Sequence, residues 1–202
     1  MGETLAKRRP GAENRREQIL EAAAECFSKH GFHAATMQEI SKTAGMSVGH
    51  IYHYFENKDA IISAIVEQEF DDVVELFDEL AKERDILSAM VARADYGFQE
   101  RTEGKNAALY LEIVAQAARN PALAAQLEAT DQRVRRKIRG LVAKGREAAG
   151  VPPISERQLD AEFEVIAALF DGLSIRAIRN PNLERDLMLD AVRRAMRALL
   201  HI

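Results

Sequence analysis

Between Lys58 and Glu83 the apolar residues Ile62, Val66, Phe70, Val73, Phe77 and Leu80 recur at intervals of four, four, three, four and three. That spacing lines six side chains along one stripe of a 3.6-residue helix. A strand, whose faces alternate at every second residue, cannot bury the same set. No stretch of the chain alternates with a period of two for long. Glycine and proline stand mostly between the periodic stretches rather than inside them. The pattern predicts an all-α protein.

Capping signals divide the chain into nine helices. Residues 1–12 form an expected flexible arm, since Pro10-Gly11 blocks a helix there. The first helix, 13–30, has Ile19, Leu20, Ala23, Cys26 and Phe27 on one face and Gly31 as its stop. Thr36 to Glu39 is a capping-box pattern, in which the threonine oxygen takes a free amide while the glutamate returns to the threonine amide. The helix it opens runs to Ala44. Ser47 caps a third short helix through Tyr54, and Asn57 caps the long fourth, about 58–83. Asp85 opens a fifth helix that Gly104 ends, and a sixth spans 106–119. Asn120-Pro121 starts a seventh, to 149, with proline where its missing amide costs nothing. After Pro152-Pro153, a second capping box at Ser155–Gln158 opens the eighth helix, which Asn180-Pro181 ends, and the ninth covers 184–200. Arg-Asn-Pro at 119–121 and again at 179–181 is shared helix-junction chemistry, not a repeat.

Composition excludes several classes. The chain has 202 residues, enough for one large domain or two small ones, and a core needs no staple. One cysteine, Cys26, excludes a disulfide framework and a multi-cysteine zinc site. No apolar run approaches the roughly 18 residues of a membrane span, and the N-terminus lacks a signal peptide's apolar core. A cytoplasmic protein without membrane contact is expected. There is no Glu-x-x-His pair for a di-iron site, no phosphate-binding glycine loop and no grouping around a nucleophile. Neither an enzyme nor a cofactor is expected. His50 and His53 lie three apart on one helix but lack a third metal ligand. Net charge is −4 overall, yet residues 1–58 carry +1 and the remainder −5. The N-terminal part therefore tolerates an anion better than the body does.

Residues 36–58 carry the strongest site signal. Ile40, Ser41, Ala44, Gly45, Met46, Ile51 and Tyr54 have the spacing of a helix-turn-helix, with a small residue at the crossing and glycine at the turn. Such a unit works by placing the outer face of its second helix in the DNA major groove. Here that face offers Ser47, Val48, Gly49, His50 and His53, flanked by Tyr52 and Tyr54, with Lys58 in the first turn of the next helix. Small residues admit close approach to base edges, histidine bonds a base or a phosphate, and a phenol reaches a phosphate oxygen.

Residues 16–23 (Arg-Glu-Gln-Ile-Leu-Glu-Ala-Ala), Gly31-Phe32, Thr36-Met37, Ile40, Ala44-Gly45-Met46-Ser47 and Ile51-Tyr-His-Tyr-Phe-Glu-Asn-Lys58 together resemble the TetR family of transcriptional regulators over about residues 13–60. The nine-helix count agrees with that family. The resemblance implies a homodimer that binds a palindromic double-stranded operator, usually as a repressor, and that a small-molecule effector in the C-terminal body releases. It implies that Thr36, Gln38, Ser47, Tyr52, Tyr54 and Lys58 contact DNA, with Val48, Gly49 and His50 facing bases. His53 stands where many members have an aromatic residue. Domains of 13–57 (DNA-binding) and 58–202 (ligand-binding and dimerisation) follow. Residues 168–177 resemble a pattern in the eighth helix of choline-regulator-like members, which does not identify the ligand.

The eighth helix is apolar almost all round, from Phe163 to Ile178, which suits contact with both its own core and a partner. Phe163, Ile166, Phe170, Gly172 and Leu173, with Val192, Met196 and Leu199 of the ninth helix, are the expected dimer interface. Phe77, Tyr96, Phe98, Tyr110 and Phe163 are candidates to line an effector pocket among helices four to eight. Each is equally at home in an ordinary core. The run Arg133–Arg139 alternates with an apolar stripe (Val134, Ile138, Leu141, Val142) and is expected to be a solvated face. Lys7, Arg8 and Arg9 form either a DNA-contacting arm or a solvated tail. Two rival readings remain: a helical adaptor that binds protein helices, and an activator in place of a repressor.

Overall fold

The structure, a computed structural model, describes residues 11–202. Residues 1–10 of the expected arm, with Lys7, Arg8 and Arg9, lie outside them, whereas Gly11 and Ala12, expected in the arm, already belong to the first helix because Gly11 at the head of a helix does not block it. Ten helical segments follow one another: α1 (Gly11–His30), α2 (Met37–Thr43), α3 (Val48–Tyr54), α4 (Lys58–Leu80), α5 (Ile86–Ala92), α6 (Ala94–Thr102), α7 (Gly104–Ala117), α8 (Pro121–Ala149), α9 (Glu156–Arg179) and α10 (Arg185–Leu200). No strand occurs among the described residues. The path has the expected nine helices, with one bend. The stretch from Asp85 to Glu103 breaks at Arg93, where ψ rises to 3° while Asp85 caps the first half as expected. No glycine or proline marks that break. Gly104 starts α7 instead of separating two helices.

The chain divides into two compact units, ending at Ile65 and beginning at Val66, so the division falls inside α4. In the first, Ile19, Ala23 and Phe27 of α1 and Ile40 of α2 are wholly or almost wholly buried, as are Ile51 of α3 and Ile61 and Ile62 of α4. Burying a side chain of this size stabilises the fold by roughly 1.5–3 kcal/mol. In a bundle this small, such side chains hold the short helices that could not stand alone.

In the second unit the core joins Leu80, Ile86, Leu87, Val91 and Phe98 to Leu141, Val142, Leu159, Leu173, Val192, Met196 and Leu200. Gly145 of α8 packs so closely on α5 that a Cβ there would stand 2.9 Å from Leu87 Cγ. The basic run of α8 is not merely a solvated face. Arg133 meets Glu67 at 3.1 Å and Lys137 pairs with Asp78, both acids on α4. Arg135 pairs with Glu164, and Arg139 meets Asp160 at 2.5 Å, both on α9. Residues four apart share a side of a helix, so 133 and 137 reach one neighbour while 135 and 139 reach the other. Arg146, 6% exposed, donates to the carbonyls of Pro152 at 2.7 Å and Leu200 at 3.0 Å, tying the loop after α8 and the end of α10 to the core.

Candidate nucleic-acid interface

Two short helices and a tight turn build the site. Thr36 caps α2 through the reciprocal pattern expected: its hydroxyl accepts from the Glu39 amide at 3.2 Å, and its own amide donates to the Glu39 carboxylate at 2.8 Å. Those bonds from Thr36 hold the Glu39 carboxyl below its ordinary value. Buried Ser41 turns its hydroxyl back to the Gln38 carbonyl at 2.8 Å, which leaves no polar atom to obstruct the helix crossing. Gly45 adopts φ +64°, a conformation that disfavours any residue with a Cβ, and the turn closes with the Met46 amide on the Ser41 carbonyl at 2.9 Å. Ser47 then caps α3 by accepting from the His50 amide at 3.2 Å.

Ile51 points α3 inward with no exposed surface. The opposite side of the segment presents Ser47, Gly49, His50, Tyr52 and His53 to solvent, with Val48 and Tyr54 half-buried at its margins. Tyr52 is 54% exposed, a large aromatic with no core role. The Tyr54 ring lies 5.4 Å from the His50 ring and 5.5 Å from the His53 ring, centroid to centroid, so the three side chains hold one another in place. Thr36 and Gln38 are exposed at the start of α2. Nine of the ten residues named from the sequence therefore lie open or half-open on α2, α3 and the turn between them.

Lys58 is the tenth, and it differs. Its ammonium turns back into the unit and donates to the carbonyls of Phe32 at 2.6 Å, His33 at 3.2 Å and Ala35 at 2.6 Å. All three of its donors meet carbonyls of the chain itself. Sequence reasoning also missed Gln18, whose side-chain amide donates to the Ala44 carbonyl at 2.8 Å and ties α1 to the end of α2. Glutamine on a helix has no pattern that announces a long-range partner.

In the second unit the expected interface residues divide. Phe163, Leu173, Val192 and Met196 are at most 8% exposed and belong to the protomer's own core. Ile166, Phe170, Gly172 and Leu199 are half-buried. The face of α9 that stays open carries Val165 at 49%, Leu169 at 36% and Ile175 at 47% exposure. These fall on one side of the helix with Ala161, Ala168 and Gly172, and nothing lies within 4 Å of where a Gly172 Cβ would sit. On α10, Leu187 is 62% exposed. A helix apolar all round in sequence does not say which stripe its own core takes, and the core takes the Phe163–Leu173 stripe.

The effector candidates divide as well. Phe98 is core, Phe163 lies under the Arg135 guanidinium, and Phe77 packs against the core. Tyr96 and Tyr110 stay partly open within one polar group. Arg101 stacks on the Tyr110 ring at 3.9 Å and meets Asp171 at 4.0 Å, and Asn106 donates to Glu100 at 3.0 Å. Desolvation pushes Tyr96 up to about 12, with Glu100 and Asp72 adding to it. Glu69 meets solvent on one side but sits within dense protein. Desolvation pushes its carboxyl up to about 7, and Glu100 and Asp72 oppose the pull of Arg101. A separate groove of about 440 Å³, lined by Phe70, Asp71, Val74, Arg133, Arg136 and Lys137, contains none of the five candidates. No group of three metal-ligating side chains and no helix long and apolar enough to cross a membrane occurs among the described residues.

Comparison with known proteins agrees with this architecture. The family model described as bacterial regulatory proteins, tetR family, matches residues 19–65, and that of the BetI-type transcriptional repressor C-terminal region matches residues 83–201. The transcriptional regulator UidR of Escherichia coli K12 is 37% identical over 117 residues, which are 58% of this chain and 59% of UidR. The chain thus spans about three-fifths of the length of that relative. Among solved structures, Salmonella enterica GusR aligns with a TM-score of 0.75 at 25% identity, over 96% of this chain and 98% of GusR. The fold is also that of Bacillus subtilis FadR, solved with stearoyl-CoA (TM-score 0.72, 19% identity, 89% of this chain and 96% of FadR). With more than half of its length matched by a family model and a helix-turn-helix displayed at its N-terminal end, the chain belongs to the TetR family of bacterial transcriptional regulators, a family of DNA-binding proteins and not of enzymes.

Proposed function

We propose that the chain is a homodimeric repressor that reads a palindromic operator with α3 and is released by a small-molecule effector bound in the second unit. The observation that carries this reading is the outer face of α3. Ser47, Gly49, His50, Tyr52 and His53 stay exposed on a helix whose other side is locked into a core. An exposed tyrosine beside two histidines on a rigid seven-residue helix has no folding role. It suits one that must meet base edges and phosphates.

The open face of α9, with Val165, Leu169 and Ile175, supports dimerisation. Single exposed apolar residues are ordinary, but three on one stripe beside small residues form a surface that a second copy would cover. Two recognition helices on successive major grooves must lie roughly 34 Å apart. An effector that binds better to a dimer with another spacing would empty the DNA-bound state. The Tyr96, Glu100, Arg101, Tyr110 group is the proposed effector contact. It combines aromatic faces, carboxylates and a guanidinium near the core, as an orienting small-molecule site requires.

The test is selection of duplexes from random DNA with the purified protein, followed by titration of the winner and a scrambled duplex at two salt concentrations. A palindrome bound in preference at both salts, and weakened by Tyr52→Ala, supports the reading. No enrichment, or binding that vanishes with salt for both duplexes alike, overturns it.

A further inference from the structure

Phosphates dominate the affinity of proteins for DNA, and lysine and arginine are the side chains that meet them. The recognition helix α3 carries neither. From Val48 to Tyr54 it has no acid and no permanent cation, and His50 and His53 are its only groups that can take a positive charge. With its histidines neutral the chain carries −4, so no general field draws this face to a polyanion.

Both imidazoles are exposed on the outer side of α3, three residues apart. Charged side chains stand on the neighbouring elements. Arg16 of α1 lies over the Phe55 ring at 5.3 Å, just beyond the end of α3. Lys42 is in the last turn of α2, Glu56 follows Phe55, and Lys58 and Asp59 open α4. Glu39 of α2 is bonded to Thr36. Among the described residues, none of these joins either imidazole in a hydrogen bond or an ion pair. What meets both rings is Tyr54, its centroid 5.4 Å from that of His50 and 5.5 Å from that of His53. Those distances lie inside the roughly 6 Å over which an aromatic ring attracts a cation. One phenol thus offsets part of the repulsion that two charged imidazoles would feel.

We propose that His50 and His53 are specificity-determining cations of the reading face: they meet DNA as imidazolium, and duplex binding takes up protons at the two rings. This rests on the reading of the chain as a sequence-specific DNA-binding protein. A neutral imidazole offers one donor and one acceptor, whereas imidazolium offers two donors. Phosphate oxygens and the O6 and N7 atoms of guanine are all acceptors, so DNA favours the charged form. Imidazole is the one side chain that ordinarily changes charge between about pH 5 and 8, and a neighbouring negative charge holds its proton more tightly. A proton bound more tightly in the complex than in the free protein strengthens the complex as pH falls and weakens it as pH rises. Duplex occupancy therefore rises on acidification near neutrality with no effector bound. A lysine or arginine at these positions would give no such dependence, since neither changes charge in that range.

The experiment titrates the selected duplex with wild type, His50→Gln, His53→Gln and the double variant at about pH 6, 7 and 8 and one salt concentration, a range that spans imidazole titration. Glutamine keeps a donor and an acceptor but takes no proton there. Calorimetry of wild-type binding in two buffers of different ionisation heat counts the protons taken up. The expected result is a wild-type affinity about tenfold or more stronger at the acid end, since one pH unit of upward shift at one ring is worth up to about tenfold. Each single variant should lose part of this dependence, the double variant should lose it to within about twofold, and calorimetry should show net proton uptake. His30, His33 and His201 remain in the double variant and control for protonation elsewhere.

Equal wild-type affinity across the range, no proton uptake, or a double variant that keeps the wild-type dependence overturns the proposal. If the double variant binds too weakly to titrate, the single variants and the wild-type calorimetry still decide. A wild type that prefers no duplex at any pH overturns the DNA-binding reading itself and this proposal with it. A preferred duplex bound without proton uptake overturns this proposal alone.

Discussion

The side-chain amide of Gln18 donates to the backbone carbonyl of Ala44 at 2.8 Å, across 26 positions of sequence. The bond satisfies a carbonyl in the last turn of α2, where the helix leaves it without an internal partner. It also anchors the turn that orients α3. Gln18→Leu should keep the packing volume but leave that carbonyl unpaired, lowering stability by about 1 kcal/mol. Urea unfolding measures the loss. Unchanged stability would show that water replaces the amide freely.

His50 lies on the exposed side of α3, with its ring against Tyr54. His50→Ala should therefore leave stability within about 0.5 kcal/mol of wild type. Its effect should fall on DNA, with about tenfold weaker binding to the selected duplex, in keeping with the roughly 1–3 kcal/mol that a specific base contact is worth. Paired thermal melts and duplex titrations separate the two effects. Equal binding by the variant would remove His50 from the reading surface.

Leu169 is 36% exposed on the open stripe of α9. Leu169→Arg costs the protomer little, because solvent already reaches the position, but it places like charges opposite one another in a two-fold interface. Sedimentation at micromolar concentration should show dimer for the wild type and monomer for the variant, with helical content by circular dichroism unchanged. A wild-type monomer would sink the α9 interface.

Glu69 and Glu39 should respond to pH with opposite sign. Glu69, raised from 4.5 to about 7, keeps its proton in the native state where the unfolded chain has lost it. Its contribution is therefore fully present below pH 4.5 and is lost as pH rises through 7. Because one side of that carboxyl meets water, the effect is smaller than full burial would give. Glu69→Gln should be more stable than wild type above pH 7, and the difference should vanish below pH 4.5. Glu39, held below its ordinary value by Thr36, contributes above the ordinary carboxylate range and loses that contribution as pH falls through its lowered value. Glu39→Gln should be less stable than wild type at neutral pH, and the gap should close in acid. Melts of both variants across pH check both signs.

Local chemistry alone determined much of this protein. The capping box at Thr36 and Glu39, Ser47 before α3, Asn120-Pro121 before α8 and Ser155 before α9 all act within four residues. Sequence therefore places those helix starts without knowledge of the fold. Gly45 at φ +64° is legible for the same reason, since a turn needs a residue without a Cβ there. The bend at Arg93 has no local signal and was not legible. Long-range choices belonged to the tertiary structure. Phe163 and Leu173 went inward while Val165 and Leu169 stayed open, because α9 is apolar on every side and only its neighbours select a stripe. The cations of α8 became bridges to two helices because acids of α4 and α9 come within reach on folding. Nothing local to Lys58 announces the three carbonyls that its ammonium meets. Only the approach of the α1–α2 turn to the head of α4 brings them within reach.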